Sequence, residues 1–129
     1  MQQAQQQFTF MKKLITSSSE ETKQLASGLA KKFTGGIIAL IGELGSGKTT
    51  FVQGFAKGLG IKEKIISPTF IIIRQYPINF YHIDLYRVEN FQELGLEEIL
   101  ENSNNIVLIE WAEKIKDLPK NTKKITIEK

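Results

Sequence analysis

Ile37-Ile38-Ala39-Leu40-Ile41 runs directly into Gly42-Glu43-Leu44-Gly45-Ser46-Gly47-Lys48-Thr49-Thr50, and this stretch decides the fold. An apolar, β-branched run enters, a glycine-rich bend follows, and Phe51, Val52 and Phe55 then open an apolar pattern at helical spacing. The order is strand, loop, helix. Successive backbone N–H groups of such a loop converge on phosphate oxygens, and the helix start adds its partial positive charge. Gly42, Gly45 and Gly47 supply the freedom to bend. Lys48 is placed to reach the β- and γ-phosphates as a point charge, and the Thr49 hydroxyl to coordinate a Mg²⁺ ion bridging them. The expected nucleotide-binding segment is therefore Gly42, Glu43, Leu44, Gly45, Ser46, Gly47, Lys48, Thr49 and Thr50. The competing reading is a glycine-rich turn before an ordinary helix. With glycine at about 7% of average usage, the full G-x-x-x-x-G-K-[ST] pattern arises by chance in well under roughly one chain in a hundred of this length.

Working outward, 129 residues make one domain, so any further activity must share the sheet that carries the cradle. Residues 1–10 are expected to be a disordered tail and 11–129 the folded domain. Hydrophobic residues at 41% and charged residues at 24% match a globular chain and argue against disorder over most of the length. The absence of cysteine excludes a disulfide framework, a thiolate metal site and a cysteine nucleophile. No apolar run approaches membrane-spanning length and no secretion signal opens the chain, so the expectation is a soluble, cytoplasmic protein with no membrane partner. The net charge of +3 comes from scattered lysines, with Arg74 and Arg87 the only arginines. That is far weaker than the concentrated basic stripe of a dedicated nucleic-acid binder.

Upstream of the cradle, Phe8 to Ile15 reads as an edge strand. Thr16 to Ser19 offers several helix caps, with Ser18 and Glu21 at capping-box spacing, and a helix should follow to about Phe33. Its Leu25, Leu29, Ala30 and Phe33 repeat at three and four, and Gly35-Gly36 stops it. Downstream, a second helix runs from Lys48 to about Leu59. Ser67-Pro68-Thr69 marks a shaped loop, because proline restricts its predecessor and lacks an N–H. Phe70–Tyr76 and Phe80–Tyr86, joined by Pro77-Ile78-Asn79, read as a hairpin. In its second strand His82, Asp84 and Tyr86 share one face while Tyr81, Ile83 and Leu85 share the other. Asn90 should start a helix to about Leu100 that Gly95 weakens in its middle. Ile106–Ile109 is a continuous apolar run, the pattern of a strand covered on both faces, and it ends in Glu110-Trp111. Lys123–Glu128 alternates as a last strand.

A phosphate cradle alone binds nucleotide; hydrolysis also needs a group that holds the metal and one that orients a water against the terminal phosphate. Glu110 is the first choice for the metal side, because it follows a buried strand as the second acidic motif of P-loop proteins does. The alternative is a surface carboxylate at a strand end. Asp84 sits between apolar neighbours, where an unpaired carboxylate is costly to bury. Its partner could be Arg87, His82 or the metal, and the residues alone do not rank these. His82 is the single histidine and reads either as a hydrogen-bonded structural residue or as a direct participant. Trp111 reads either as core packing or as a contact with a nucleotide base.

Four signatures now stand in order: Gly42-Glu43-Leu44-Gly45-Ser46-Gly47-Lys48-Thr49, Ser67-Pro68-Thr69-Phe70, His82-Ile83-Asp84-Leu85-Tyr86-Arg87 and Ile109-Glu110-Trp111. Together they resemble the TsaE family of small bacterial P-loop ATPases, needed for the threonylcarbamoyladenosine modification at position 37 of tRNAs that read ANN codons. The likeness runs from Ile15 to Ile127. Its first motif is shared by many families, but the second and third are distinctive at these spacings. The resemblance implies an α/β fold, a single P-loop NTPase-like domain with a mixed β-sheet flanked by helices. It implies ATP and Mg²⁺ as cofactors, and an ATP hydrolase stimulated inside a complex with TsaD, the transferase subunit, and TsaB. Contact with tRNA would be indirect, through that complex. By matching motif, Lys48 would hold phosphate, Thr49 and Glu110 would sit on Mg²⁺, Thr69 would lie in a switch-like loop near the terminal phosphate, and Asp84 would assist hydrolysis. The family pattern leads one to expect a further hairpin strand after Glu128, and base-side contacts from such a segment are not assigned.

Three other classes share the cradle. A nucleoside or metabolite kinase usually needs lid arginines to neutralise the transferring phosphate, and two arginines leave little for that task. A nucleotide-sensing adaptor without turnover is compatible with the motifs. A GTPase switch is disfavoured, since no Asn-Lys-x-Asp segment is present to read guanine.

Overall fold

The four apolar residues Ile37–Leu40 are all buried because the strand they form lies inside the sheet with neighbours on both sides. The computed structural model describes residues 10–43, 45–65, 72–89 and 95–128. Along them run β1 (Phe10–Ile15), α1 (Ser19–Lys31), β2 (Gly36–Ile41), α2 (Lys48–Gly58), β3 (Ile73–Tyr76), β4 (Phe80–Asp84), α3 (Leu96–Glu101), β5 (Ile106–Glu110) and β6 (Lys123–Glu128). The strands form one sheet in the order β1-β6-β2-β5-β4-β3. Every neighbouring pair is parallel except the β3–β4 hairpin, so the sheet is mixed, as expected.

Side chains alternate across each strand and sort into two cores. Ile38, Leu40, Leu108, Ile125 and Ile127 meet Phe51, Val52 and Phe55 of α2 and Ala26 and Ala30 of α1. On the opposite face Ile37, Ala39, Val107 and Ile109 pack with Ile83, Leu85, Leu96 and Leu118. A strand covered on both faces has no polar alternation, which is why β2 and β5 read as continuous apolar runs.

The buried stripe of α1 differs from expectation. Thr22, Ala26 and Ala30 are buried, Leu29 and Phe33 flank them, and Leu25 points outward at 43% exposure. The reason lies in α2. A Cβ on Gly54 would stand 2.6 Å from the Cα of Lys23, and one on Gly58 would meet the Ser27 carbonyl. Backbones this close leave room only for small residues on the facing stripe of α1. Ser18 caps that helix as expected, accepting from the Glu21 N–H at 3.1 Å. In return the Glu21 carboxylate accepts from the residue before the cap, the Ser17 N–H, at 2.8 Å.

Gly95 proves to be a boundary rather than a weak centre: it adopts φ 73 and immediately precedes α3. The Asn90 cap falls outside the described residues. In the hairpin turn Ile78 and Asn79 both take φ 58, the left-handed values that a tight reversal between Tyr76 and its partner Phe80 requires. No helix among the described residues is long and apolar enough to cross a membrane.

Candidate nucleotide and metal site

β2, β4 and β5 run parallel, so their carboxyl ends meet at one edge of the sheet, where ligands of open α/β sheets bind. The loop after β2 begins there at Gly42 and delivers the chain to Lys48, the first residue of α2. Gly45 (φ 78) and Gly47 (φ 109) occupy backbone conformations that side-chain-bearing residues rarely adopt. Gly42 is needed for a different reason, closeness: a Cβ there would collide with Ser46 and stand 2.8 Å from the Ile127 carbonyl. Ser46 is buried, and its hydroxyl has no hydrogen-bond partner among the described residues. A buried hydroxyl without a partner, on a glycine-rich loop that runs into a helix N-terminus, fits an anionic ligand.

Lys48 is 5% exposed. Its ammonium donates to the carbonyls of Gly42 and of Glu43, the latter at 3.1 Å, and lies 4.2 Å from the centroid of the Trp111 ring. Burial lowers its pKa from the ordinary 10.5, while the carboxylates of Glu110, Glu113, Asp84 and Glu43 pull it back up. Three of the four, Glu110, Asp84 and Glu43, line the same cavity as Lys48.

Pairing places Asp84 directly opposite Glu110, and Glu110 directly opposite Leu40. Glu110 is 3% exposed, and its Oε2 accepts from the Thr49 hydroxyl at 3.0 Å, with a longer approach of 3.3 Å to Oε1. The same Oε2 lies 2.6 Å from His82 Nε2. Asp84 is half-buried and accepts from the Tyr86 N–H at 2.9 Å. Among the described residues no ion pair joins it to Arg87. Burial raises its pKa above the ordinary 3.8; the Tyr86 N–H opposes that shift, the Glu110 carboxylate adds to it, and His82 and Lys48 oppose it.

A cavity of about 750 Å³ collects these groups, lined by Glu43, Gly45–Thr50, Asp84, Glu110 and Trp111. Gly42, the residue after β2, is not among the lining residues. Leu44 and Thr69 lie outside the described residues. The same cavity is also lined by Thr16, Ser17, Ser18, Ser19 and Thr22, and by Ile72, Tyr86 and Arg87. In the sequence the Thr16–Ser19 run reads only as a helix cap. Its place at the site follows from β1 pairing parallel with β6, which sends its end to the same edge, and strand order is not written in a local pattern. Lys114 was missed entirely: its ammonium donates to the carbonyls of Tyr86 at 2.6 Å and Val88 at 3.2 Å, fastening the turn after β4 to the segment after Trp111. The rings of Tyr86 and Trp111 meet there at 4.9 Å.

Among the described residues no group of three or more His, Cys, Asp or Glu side chains is placed to hold a metal ion. The donors beside the cradle are a hydroxyl and a carboxylate. Such a sparse, hard-oxygen set suits Mg²⁺, which takes one or two protein ligands and completes its shell with phosphate and water.

Strand, glycine loop, buried lysine and helix, with an acid at the end of the adjacent strand, define a P-loop NTPase-like nucleotide-binding protein. Within that class the chain belongs to the TsaE family: the model of "Threonylcarbamoyl adenosine biosynthesis protein TsaE" matches residues 16–129. It is 43% identical over 121 residues to the tRNA threonylcarbamoyladenosine biosynthesis protein TsaE of Bacillus subtilis, covering 88% of this chain and 75% of the relative. The TsaE protein of a Nostoc species is 44% identical over 114 residues, covering 81% and 70%. The crystal structure of Bacillus subtilis YdiB matches with a TM-score of 0.67 at 38% identity, covering 81% of this chain and 67% of that one. The family serves the biosynthesis of threonylcarbamoyladenosine in tRNA.

Proposed function

We propose that residues 11–129 form a Mg²⁺-dependent ATP hydrolase that acts in the cytoplasm with TsaD and TsaB in the threonylcarbamoyl modification of adenosine 37 in tRNAs reading ANN codons, touching tRNA only through that complex. The observation that carries this reading is the contact of the Thr49 hydroxyl with the Glu110 carboxylate beside the glycine loop. It joins the helix that would bind phosphate to the strand that would bind metal.

In this reading the loop from Gly42 to Gly47 cradles the phosphates, with the N–H groups at the start of α2 and the Lys48 ammonium neutralising their charge. Thr50 and, by its motif, Leu44 would complete the nucleotide-binding segment, and Trp111, whose ring packs on the Lys48 ammonium, would contact the base. Thr49 and Glu110 hold Mg²⁺, which supplies charge neutralisation and orientation of the terminal phosphate when bound. Asp84, facing the cavity with its proton affinity raised by burial, orients and accepts a proton from the attacking water. Thr69, outside the described residues, is assigned near the terminal phosphate by its motif alone. Hydrolysis here serves turnover of the complex rather than transfer of the carbamoyl group.

The test is ATP turnover with Mg²⁺, measured for this chain alone and with TsaD and TsaB. Phosphate release that rises on adding the two partners is the expected result. Turnover that does not respond to them sinks the assignment, and phosphate transferred to a metabolite would establish a kinase instead.

A further inference from the structure

Glu110 closes a strand whose other four residues are apolar and buried, so its carboxylate is tolerated only if partners take its oxygens. Thr49 is one partner. The other is His82, whose Nε2 lies 2.6 Å from Oε2. His82 is wholly buried on the neighbouring strand. Pairing sets it opposite Leu108, which places Glu110 two residues further on and on the same face, the diagonal neighbour that a long side chain can reach. Its Nδ1 is buried with no hydrogen-bond partner among the described residues.

Facing a carboxylate, Nε2 carries the proton and donates it, so Oε2 receives both the imidazole N–H and the Thr49 hydroxyl. Oε1 has only the 3.3 Å approach of Thr49 and is the less engaged oxygen. We infer that His82 is the positioning residue of the metal side: by holding Oε2 it stops the Glu110 carboxylate from turning and keeps it aligned with Thr49. This rests on the assignment of Glu110 to Mg²⁺ made above. Partners of this kind, one step removed from a metal, typically change its affinity by about 10–100-fold when they are lost. His82 touches neither nucleotide nor metal in this arrangement, so its effect should be confined to what the metal adds.

The experiment is calorimetric titration with ADP, first in EDTA and then in Mg²⁺, on the wild-type chain and on His82→Asn and His82→Gln. Gln carries an N–H to the position of Nε2, whereas Asn withdraws it. We expect all three to bind ADP alike in EDTA, His82→Asn to lose about tenfold or more of the gain that Mg²⁺ confers, and His82→Gln to keep most of it. A His82→Asn chain that melts cooperatively and retains the wild-type gain overturns the inference, as does an equal loss in EDTA and in Mg²⁺. A second readout needs no variant. His82 is the single histidine, so its ring protons give one set of NMR signals, which should move when Mg²⁺ is added to the ADP complex. Ring signals unmoved by Mg²⁺ also overturn it. Absence of any ADP uptake by the wild-type chain removes the proposed function itself, whereas uptake with the gain intact in His82→Asn removes only the role of His82.

Discussion

Asp84 and Glu110 end adjacent parallel strands at the same level of the sheet, yet they are held in different ways. Glu110 is sealed in and gripped by side chains from two other elements, Thr49 of α2 and His82 of β4. Asp84 is half-exposed and held by the backbone of its own turn. Register brings the two carboxylates side by side, and their surroundings differ. A fixed carboxylate suits a metal, which tolerates little ligand movement. A cavity-facing carboxylate with raised proton affinity suits a water that must be positioned and deprotonated.

The sharpest way to break this comparison is to remove each acid separately. Glu110→Ala should lower Mg²⁺-dependent hydrolysis by about 10³-fold while nucleotide still binds, and the gain in affinity from Mg²⁺ should disappear with it. Asp84→Asn should also lose hydrolysis but keep that gain. If the two variants respond to Mg²⁺ in the same way, the division of labour is wrong; unchanged ATP turnover in Glu110→Ala would remove that acid from the mechanism. Next in size is Lys48→Ala, which should weaken nucleotide by about 10–100-fold through loss of a charge-assisted contact, both with and without Mg²⁺. A loss seen only with Mg²⁺ would move Lys48 to the metal side.

How much of this was legible beforehand follows the range of the interactions. The approach of Gly45, Gly47, Lys48 and Thr49 to one cavity is legible in the sequence because these residues are contiguous, within one loop and one helix turn. Glu110 was readable from the four apolar residues before it. Its contact with His82 was not, because that depends on the pairing of His82 with Leu108, and no local pattern states which strands are neighbours. For the same reason the Thr16–Ser19 run read as a cap and nothing more. Leu25 misled because helical periodicity identifies a face without saying that Gly54 and Gly58 bring a second backbone against it. The partner of Asp84 was open among Arg87, His82 and metal, and the one found, the Tyr86 N–H, carries no sequence signature.

Those glycines give a smaller effect that sharpens the contrast. Gly54→Ala places a Cβ against the backbone of Lys23 and should destabilise the fold by about 1–3 kcal/mol, measured by chemical denaturation, despite the better helix propensity of alanine. Because α2 carries Thr49 and not Asp84, the surviving folded protein should show impaired Mg²⁺ response with the Asp84 turn unaffected. Stability at or above wild type would mean that α1 and α2 can separate without consequence.

The smallest expected effect concerns Asp84 and pH. Burial raises its pKa above the ordinary 3.8, so the folded chain holds that proton more tightly than the unfolded chain does. Asp84 therefore favours folding at pH values below 3.8, and this contribution is lost as pH rises through the folded-state value. At neutral pH the half-buried charge opposes folding, and Asn, which can still accept from the Tyr86 N–H, removes that opposition. Asp84→Asn should raise Tm at pH 7 by about 2 °C, a modest shift because the group is partly solvated, and the difference should shrink as pH falls toward 3.8. The same substitution is expected to lower hydrolysis, so stability and activity should move in opposite directions at this one position. A Tm that falls at pH 7 would show that Asp84, like Glu110, is held by favourable contacts, and the distinction between the two acids would then rest on Mg²⁺ alone.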